Sequence, residues 1–255
     1  MKLFKIKKAK IKGFVYIPDE DNDLFAKAKI GDSIIKQNRE PPYIVVDHSL
    51  NTKIITQWPG KLYYVEVINQ KKEKDINKGL VKNIWYTRTL GVKILEEVPL
   101  EAMFGVNEKS IKNLIDLTRK IETEQVEMLS KHDVKSNRSV VDKAWKKWIR
   151  LTDKDYSFLP EDYSNTLNMS PKNQVHGSPI REGLSIIYSQ FDIRARELVG
   201  DAAFGVDKDG EIFLQPTWST AVEALLQAGI SYESDGLISE AEKENLRKPV
   251  KEVFH

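Results

Sequence analysis

Hydrophobic and polar positions change their period near Gly105. Before it, β-branched and aromatic residues form short runs or alternate with polar ones, a pattern typical of β-strands. The richest of these runs lie within residues 54–104, where Pro59-Gly60 indicates a tight turn between two strands. After Gly105, apolar residues recur every three or four positions, which is typical of amphipathic helices. The pattern therefore predicts an α+β protein.

Residues 1–105 are predicted to form a β-rich domain. Their short apolar runs predict about six strands, mostly antiparallel, in a curved sheet or small barrel. Helix-capping patterns add short helices at residues 24–30, which Gly31 ends, and at 33–37. A segment rich in Lys, Glu, Asp and Asn at 70–79 is predicted to be a loop.

Residues 106–255 are predicted to form a second domain that is mostly helical and contains one β-hairpin. Apolar positions at helical spacing, together with capping residues, locate its elements. The predicted order is a long helix over 107–129 capped by Asn107, a helix from Ser139, an irregular segment at 153–179, a helix at 180–199, a hairpin at 204–214, and helices at 217–228 and 239–254.

The absence of cysteine excludes several classes of protein. A disulfide scaffold, a thiolate metal site and a cysteine nucleophile all require a residue that this chain lacks. Lysines interrupt the first residues, so they do not resemble a signal peptide. No run approaches the roughly 18 apolar residues of a membrane helix. We therefore expect a soluble, cytoplasmic protein without a membrane partner.

Charge is distributed unevenly along the chain, although the net charge is only +2. Residues 1–104 carry 19 basic and 13 acidic groups, whereas residues 154–255 carry 10 basic and 17 acidic groups. This asymmetry indicates either faces that meet partners of complementary charge, or two halves that attract each other, or merely solvated surfaces.

Candidate catalytic residues are dispersed along the sequence. Asp47 and His48 follow a predicted strand end, a favoured place for chemistry, although adjacent strand residues point to opposite faces. They would form a site if they converged in one cleft with His176, Arg194 and Arg196. No catalytic motif links them, so no catalytic, cofactor-binding or metal-binding residue is assigned.

One segment, residues 231–242, resembles a calcium-binding loop in its spacing. Loop positions one, three, five, six, eight and twelve are occupied by Ser231, Glu233, Asp235, Gly236, Ile238 and Glu242. Serine is a poor ligand for position one, and no partner loop is present. The same residues also fit a turn followed by a Ser239–Glu242 capping box. We expect this loop to bind no calcium.

Two basic stretches raise the possibility of nucleic-acid binding. Six lysines fall within the first twelve residues. A later predicted helix interleaves tryptophans with basic residues, a pattern that can stack on and clamp nucleic acid. Core tryptophans with lysines around them give the same pattern. The residues concerned are Lys143, Trp145, Lys146, Lys147, Trp148 and Arg150.

The favoured hypothesis is a protein that binds and occludes another protein, for instance a bacterial immunity protein of the antitoxin type. Such a function needs charged and aromatic surface groups rather than a catalytic motif or cofactor. Candidate aromatic anchors are Trp58, Tyr64, Tyr86 and Tyr163, and candidate steering charges are Lys7, Lys8, Lys10, Glu240 and Glu244. The alternatives are a hydrolase or transferase with a dispersed site and a nucleic-acid-binding module.

Overall fold

In the computed structural model, the chain divides into two compact units between Met103 and Phe104. The structure describes residues 10–19, 24–38, 42–50, 55, 57–68, 86–152 and 179–254. The front unit contains a six-stranded antiparallel sheet, and the back unit is mostly helical with a two-stranded hairpin. The predicted α+β class is confirmed. Independent folding of residues 1–105 and 106–255 stays a prediction.

The front sheet has the strand order β2-β6-β4-β1-β3-β5, and each neighbouring pair is antiparallel. Its strands are β1 (Lys12–Pro18), β2 (Ser33–Ile35), β3 (Ile44–Asp47), β4 (Gly60–Val67), β5 (Tyr86–Thr89) and β6 (Gly91–Val98). Alternate residues project to one face and form a core that includes Val15, Val46, Tyr63, Val65, Val92 and Ile94. Phe25 covers this face, and its ring lies 6.2 Å from that of Tyr63.

Two predicted short helices are wrong. Residues 24–27 form turns instead, and Gly31, at φ 97°, ends the segment in a conformation that glycine favours. The second predicted helix, 33–37, is replaced by strand β2, which pairs with β6. The physical reason is that so short a helix is marginal alone, whereas the edge of β6 supplies backbone partners.

Predicted strand boundaries also shifted. Residues 57–59 form bends, and β4 begins at Gly60. The apolar run at residues 86–98 forms two strands, β5 and β6, that are divided at Leu90. The hydroxyl of Thr89 accepts a hydrogen bond from the Gly91 N–H at 3.2 Å, so a local bond replaces a ladder bond there.

The back unit is organised around one buried helix, α5. Its elements are α1 (Glu108–Arg119), α2 (Thr123–Ser130), α3 (Arg138–Thr152), α4 (Pro179–Val199), β7 (Phe204–Val206), β8 (Ile212–Leu214), α5 (Pro216–Glu233) and α6 (Glu240–Phe254). Every residue of α5 from Ala221 to Ser231 is buried, and α1, α2, α4 and α6 pack around it. Neither α5 nor any other helix among the described residues is long and apolar enough to cross a membrane.

The long helix predicted over 107–129 is also wrong, because it is interrupted between α1 and α2. The Glu122 backbone N–H donates to Gln125 Oε1 at 2.9 Å, and the Glu122 carboxylate accepts from the Gln125 backbone N–H. This capping box starts a new helix. Buried Ile121 anchors the break, and its carbonyl accepts a hydrogen bond from Arg194 at 2.9 Å.

Polar side chains fix the turn between α5 and α6. Lys243 is 4% exposed and donates hydrogen bonds to Asp235 and, at 2.8 Å, to Glu240. Asn107 donates to the Tyr232 carbonyl and to Asp235. The hydrogen bonds from Lys243 and Asn107 hold the pKa of Asp235 below its usual range.

Glu233 ends α5 in a less favourable setting. Burial, with a smaller contribution from the charge of Asp235, raises the pKa of Glu233 to about 7. Its Oε1 atom is buried and accepts no hydrogen bond from the described residues. The ionised form of Glu233 therefore costs free energy in the folded protein.

Replacing Gly13 with alanine should destabilise the front unit. A Cβ at this position would lie 2.1 Å from the Asp47 carbonyl oxygen, which belongs to the backbone of neighbouring β3. The strands would have to separate, at a cost of about 3 kcal/mol in the free energy of unfolding. Urea unfolding of Gly13→Ala measures this loss. Lys12→Ala, an exposed change on the same strand, is the control; equal effects would contradict the close approach of β1 and β3.

Glu233→Gln should change stability in a pH-dependent way. Because the pKa of Glu233 is raised, its favourable protonated form is fully present below pH 4.5, and this contribution is lost as pH rises towards 7. The variant should exceed the wild type by on the order of 2 kcal/mol at pH 8 and match it at pH 4.

Glu242→Gln supplies the opposite control for that experiment. A hydrogen bond from Lys143 and two from Ser239 lower the pKa of Glu242 to about 2. Its stabilising charge is fully present above pH 4.5 and is lost as pH falls towards 2, so this variant should be less stable than wild type at pH 7. Unfolding across pH 3–8 measures both. A stability gain for Glu233→Gln that is the same at every pH would contradict a buried ionised carboxylate.

Candidate functional site

Asp47 and His48 lie at the end of β3 in the front sheet. Asp47 is 4% exposed, and its strand register places it opposite Phe14 on one side and Tyr86 on the other. The His48 ring nitrogen Nε2 lies 2.8 Å from the Thr87 hydroxyl. The backbone of Asp47 is thus paired with neighbouring strands, and the His48 ring is held beside Thr87 of β5.

Arg194 and Arg196 lie on α4 in the back unit and form contacts that hold that unit together. Arg194 binds Glu122 at 2.8 Å and Glu197 at 3.0 Å. Arg196 binds Asp192 at 3.1 Å. The fifth candidate, His176, lies outside the described residues. Convergence of the five candidates in one cleft therefore stays untested.

The candidate calcium loop is occupied by internal hydrogen bonds. Asp235 binds the Lys243 ammonium group, and the Glu242 carboxylate accepts from the Ser239 N–H at 2.7 Å and from Lys143 at 2.7 Å. The contacts between Ser239 and Glu242 are those of the capping box that the sequence pattern also allowed. Across the described ranges, no group of three or more His, Cys, Asp or Glu side chains is arranged to hold a metal ion. That the loop binds no calcium stays a prediction to be tested with calcium itself.

Helix α3, which carries Trp145 and Trp148, has fewer side chains available to bind nucleic acid than its sequence indicates. Trp145 is only 7% exposed, so its ring is not available to stack on a base. Lys143 binds Glu242, and Lys147 donates to the Leu237 carbonyl at 2.8 Å. The Trp148 side chain and the lysines before residue 10 lie outside the described part of the chain.

The predicted aromatic anchors are only half-exposed. Tyr64 and Tyr86 belong to one row across the sheet, in which Tyr64 faces Phe14, Phe14 faces Asp47 and Asp47 faces Tyr86. The rings of Phe14 and Tyr64 pack at 5.1 Å. Trp58 is also half-buried, and Tyr163 lies outside the described residues.

The predicted steering charges that the structure describes are already paired. Lys10 binds Glu66 at 2.6 Å, and Glu240 binds Lys243 at 2.8 Å. Glu244 binds Lys251 at 2.7 Å. Lys7 and Lys8 lie outside the described residues. Paired charges contribute less to the field that a partner meets, so the better candidates for steering lie elsewhere.

The β7–β8 hairpin exposes apolar side chains that the sequence hypothesis did not select. Val206 is 67% exposed, Ile212 66% and Phe213 46%. Val206 pairs with Ile212 across the strands, so these two share one face, whereas Phe213 pairs with Gly205 and lies on the other. We call Val206, Ile212 and Phe213 the hairpin surface.

The hairpin is held in a defined conformation. Its turn is closed by the Asp207 carboxylate, which accepts hydrogen bonds at 2.9 Å from the N–H groups of Asp209 and Glu211. At its base, the Arg196 guanidinium lies 4.0 Å from the centre of the Phe204 ring. Phe213 lies so close to Gly205 that a Cβ there would be 2.5 Å from its ring. A preorganised element of this kind loses little conformational entropy when it binds.

Acidic residues surround the hairpin surface. Between residues 201 and 211 the chain carries four carboxylates and one lysine, namely Asp201, Asp207, Lys208, Asp209 and Glu211. Asp209 and Glu211 form no ion pair with any described residue. Apolar side chains framed by uncompensated negative charge can dock into an apolar cleft with a basic rim.

A sequence signal for this surface exists in hindsight. Ile212, Phe213 and Leu214 are consecutive apolar residues, so they must project to both faces of their strand. In a two-stranded hairpin that no other element covers, such side chains stay largely exposed on either face.

Comparisons with protein-family models, with characterised proteins and with solved structures found no significant match to this chain, so the site has to be interpreted from its own geometry.

Proposed function

We propose that this protein binds another protein and acts by occluding it, and that the hairpin surface is its contact element. The observation that carries the proposal is the exposure of Val206, Ile212 and Phe213 on a hairpin whose turn is closed by hydrogen bonds. Clustered apolar exposure framed by polar residues is typical of interaction sites. A bacterial immunity protein that plugs a toxin in the cytoplasm is one instance of this function.

The chemistry of the hairpin surface defines the partner that fits it. Burial of an exposed Val or Ile side chain contributes about 1.5–3 kcal/mol, so Val206 and Ile212, which share one face, can anchor a complex, and Phe213 offers a further contact on the opposite face. The free carboxylates of Asp209 and Glu211 favour basic groups around the partner's apolar cleft. A second copy of this chain is disfavoured, because two acidic hairpins would repel each other. Nucleic acid is disfavoured at this surface for the same reason.

Capture from an extract of the native host is the first experiment. The immobilised protein should retain one host protein in a one-to-one ratio, most simply the product of a neighbouring gene. The captured protein is then purified and titrated against variants by calorimetry, because capture alone does not locate the contact. If no protein is retained and the purified chain turns over a small molecule, the enzyme hypothesis replaces this proposal.

Ile212→Ser should weaken binding to the purified partner by about 30-fold, because an apolar anchor is lost from the interface. The matched control is Ile30→Ser: Ile30 is the same residue type and is also 66% exposed, but it belongs to the front unit. The control should bind as tightly as wild type. Equal affinities for the two variants would show that the hairpin surface is not the contact.

Reversing the hairpin charges should slow association. In Asp209→Lys/Glu211→Lys, the association rate should fall by about tenfold in low salt while dissociation changes little, because exposed charges act through a screened long-range field. Glu124→Lys/Glu127→Lys on α2 makes the same change in net charge away from the hairpin. Stopped-flow mixing at low and high salt compares them. Equal slowing by both variants would indicate net charge alone and contradict local steering.

A further inference from the structure

A groove lies between α1 and α6 in the back unit, separate from the hairpin surface. It has a volume of about 360 Å³ and is lined by Ser110, Asn113 and Leu117 of α1, Lys120 at the C-cap of α1, Tyr232 at the end of α5, and Val250 of α6. Both α1 and α6 pack against α5, and the groove opens above the last turn of that central helix. Its volume falls at the lower end of the range for small-molecule sites.

The floor of the groove is apolar and well supported. Leu114 and Val250, at 2% and 5% exposed, belong to the core beneath it, and Leu117 and Tyr232 are half-buried on its surface. Tyr232 is held from two sides. Asn107 donates to its carbonyl, and the Arg247 guanidinium lies 5.6 Å from its ring centre. The floor is therefore a preformed surface for an apolar or aromatic group.

One of the lysine side chains that line the groove is not paired with a carboxylate of the described residues. Asp116 is paired with Lys112 at 2.7 Å, and Lys251 is paired with Glu244 at 2.7 Å. Lys120, at the C-cap of α1, forms no ion pair with any described residue. An apolar floor with a single free ammonium group is complementary to a molecule that has an apolar body and one negative charge.

We propose that this groove binds a small amphipathic organic anion. Its apolar body packs on Leu117, Tyr232 and Val250, and its acidic group binds the Lys120 ammonium. Ser110 and Asn113 offer a hydroxyl and an amide to polar atoms at the other end of α1. This site does not depend on the hairpin surface or on the proposed protein partner.

The probe for this site is anilinonaphthalene sulfonate, an aromatic body with one sulfonate, followed by its fluorescence. It should bind the intact protein saturably, one per chain, with a dissociation constant of about 10–100 µM. Phenylnaphthylamine, which has the same rings without the sulfonate, should bind at least tenfold more weakly. Absence of saturable binding, or equal affinity for the two dyes, overturns the proposal.

Matched variants locate the bound dye. Lys120→Gln should weaken sulfonate binding by about tenfold and abolish the preference over the neutral dye. Lys131→Gln is the control, because Lys131 is the exposed C-cap residue of α2 and does not line the groove. Equal effects of the two changes overturn the role of Lys120.

Filling the groove tests its volume. Leu117→Trp should abolish binding of both dyes, and circular dichroism with thermal unfolding should show that the variant remains folded. Ile212→Ser should leave dye binding unchanged, because the hairpin is not the site. If Leu117→Trp is folded and still binds, or if Ile212→Ser removes binding, the dye lies elsewhere and the groove proposal is wrong.

Discussion

The back unit depends on the burial of α5. Eleven consecutive residues from Ala221 to Ser231 are buried, so the helix has no face that it can turn to water. A helix that is buried on every face has to be enclosed, and α1, α2, α4 and α6 enclose it. The amphipathic character of α1 and α6 follows, because each needs only one apolar stripe. The groove over Tyr232 forms at the end of α5, where α1 and α6 line a common opening.

Burial of α5 does not account for the exposed apolar side chains of the β7–β8 hairpin. Its strands carry Val206, Ile212 and Phe213, whose side chains remain largely exposed to solvent. Internal hydrogen bonds at the Asp207 turn and the stacking of Arg196 on Phe204 nevertheless hold it in one conformation. Exposure of apolar side chains to water is unfavourable in free energy, and a partner that covers these side chains would remove that cost.

The described acidic residues of the C-terminal half include carboxylates that bind lysines and carboxylates that do not. Asp235, Glu240, Glu242 and Glu244 all bind lysines of the same unit, so their charges are largely neutralised within the fold. The carboxylates of Asp209 and Glu211 have no such partners among the described residues. Among the described exposed residues of this half, the carboxylates at the hairpin are therefore the ones left without a basic partner. We therefore propose Asp209 and Glu211, rather than Glu240 and Glu244, as the charges that guide the interface.

Sequence patterns predicted the elements with strong periodicity or turn chemistry, and missed those decided by neighbours. The confirmed elements include α4, α5, α6 and the hairpin. Strand β2 was mistaken for a helix because its three residues pair with β6, which local propensity does not reveal. The break before α2 was missed because apolar spacing continues through the capping box at Glu122. Exposure of Phe213 and burial of Glu233 depend on what packs around each residue, and a sequence pattern does not give that.

Hydrogen–deuterium exchange in the presence of the purified partner tests the central claim most directly. Backbone amides of residues 204–214 should exchange more slowly in the complex than in the free protein, while those of β1 and β4 should be unchanged. Protection confined to the front sheet, with exchange in the hairpin unaltered, would contradict the assignment of the hairpin surface as the contact element.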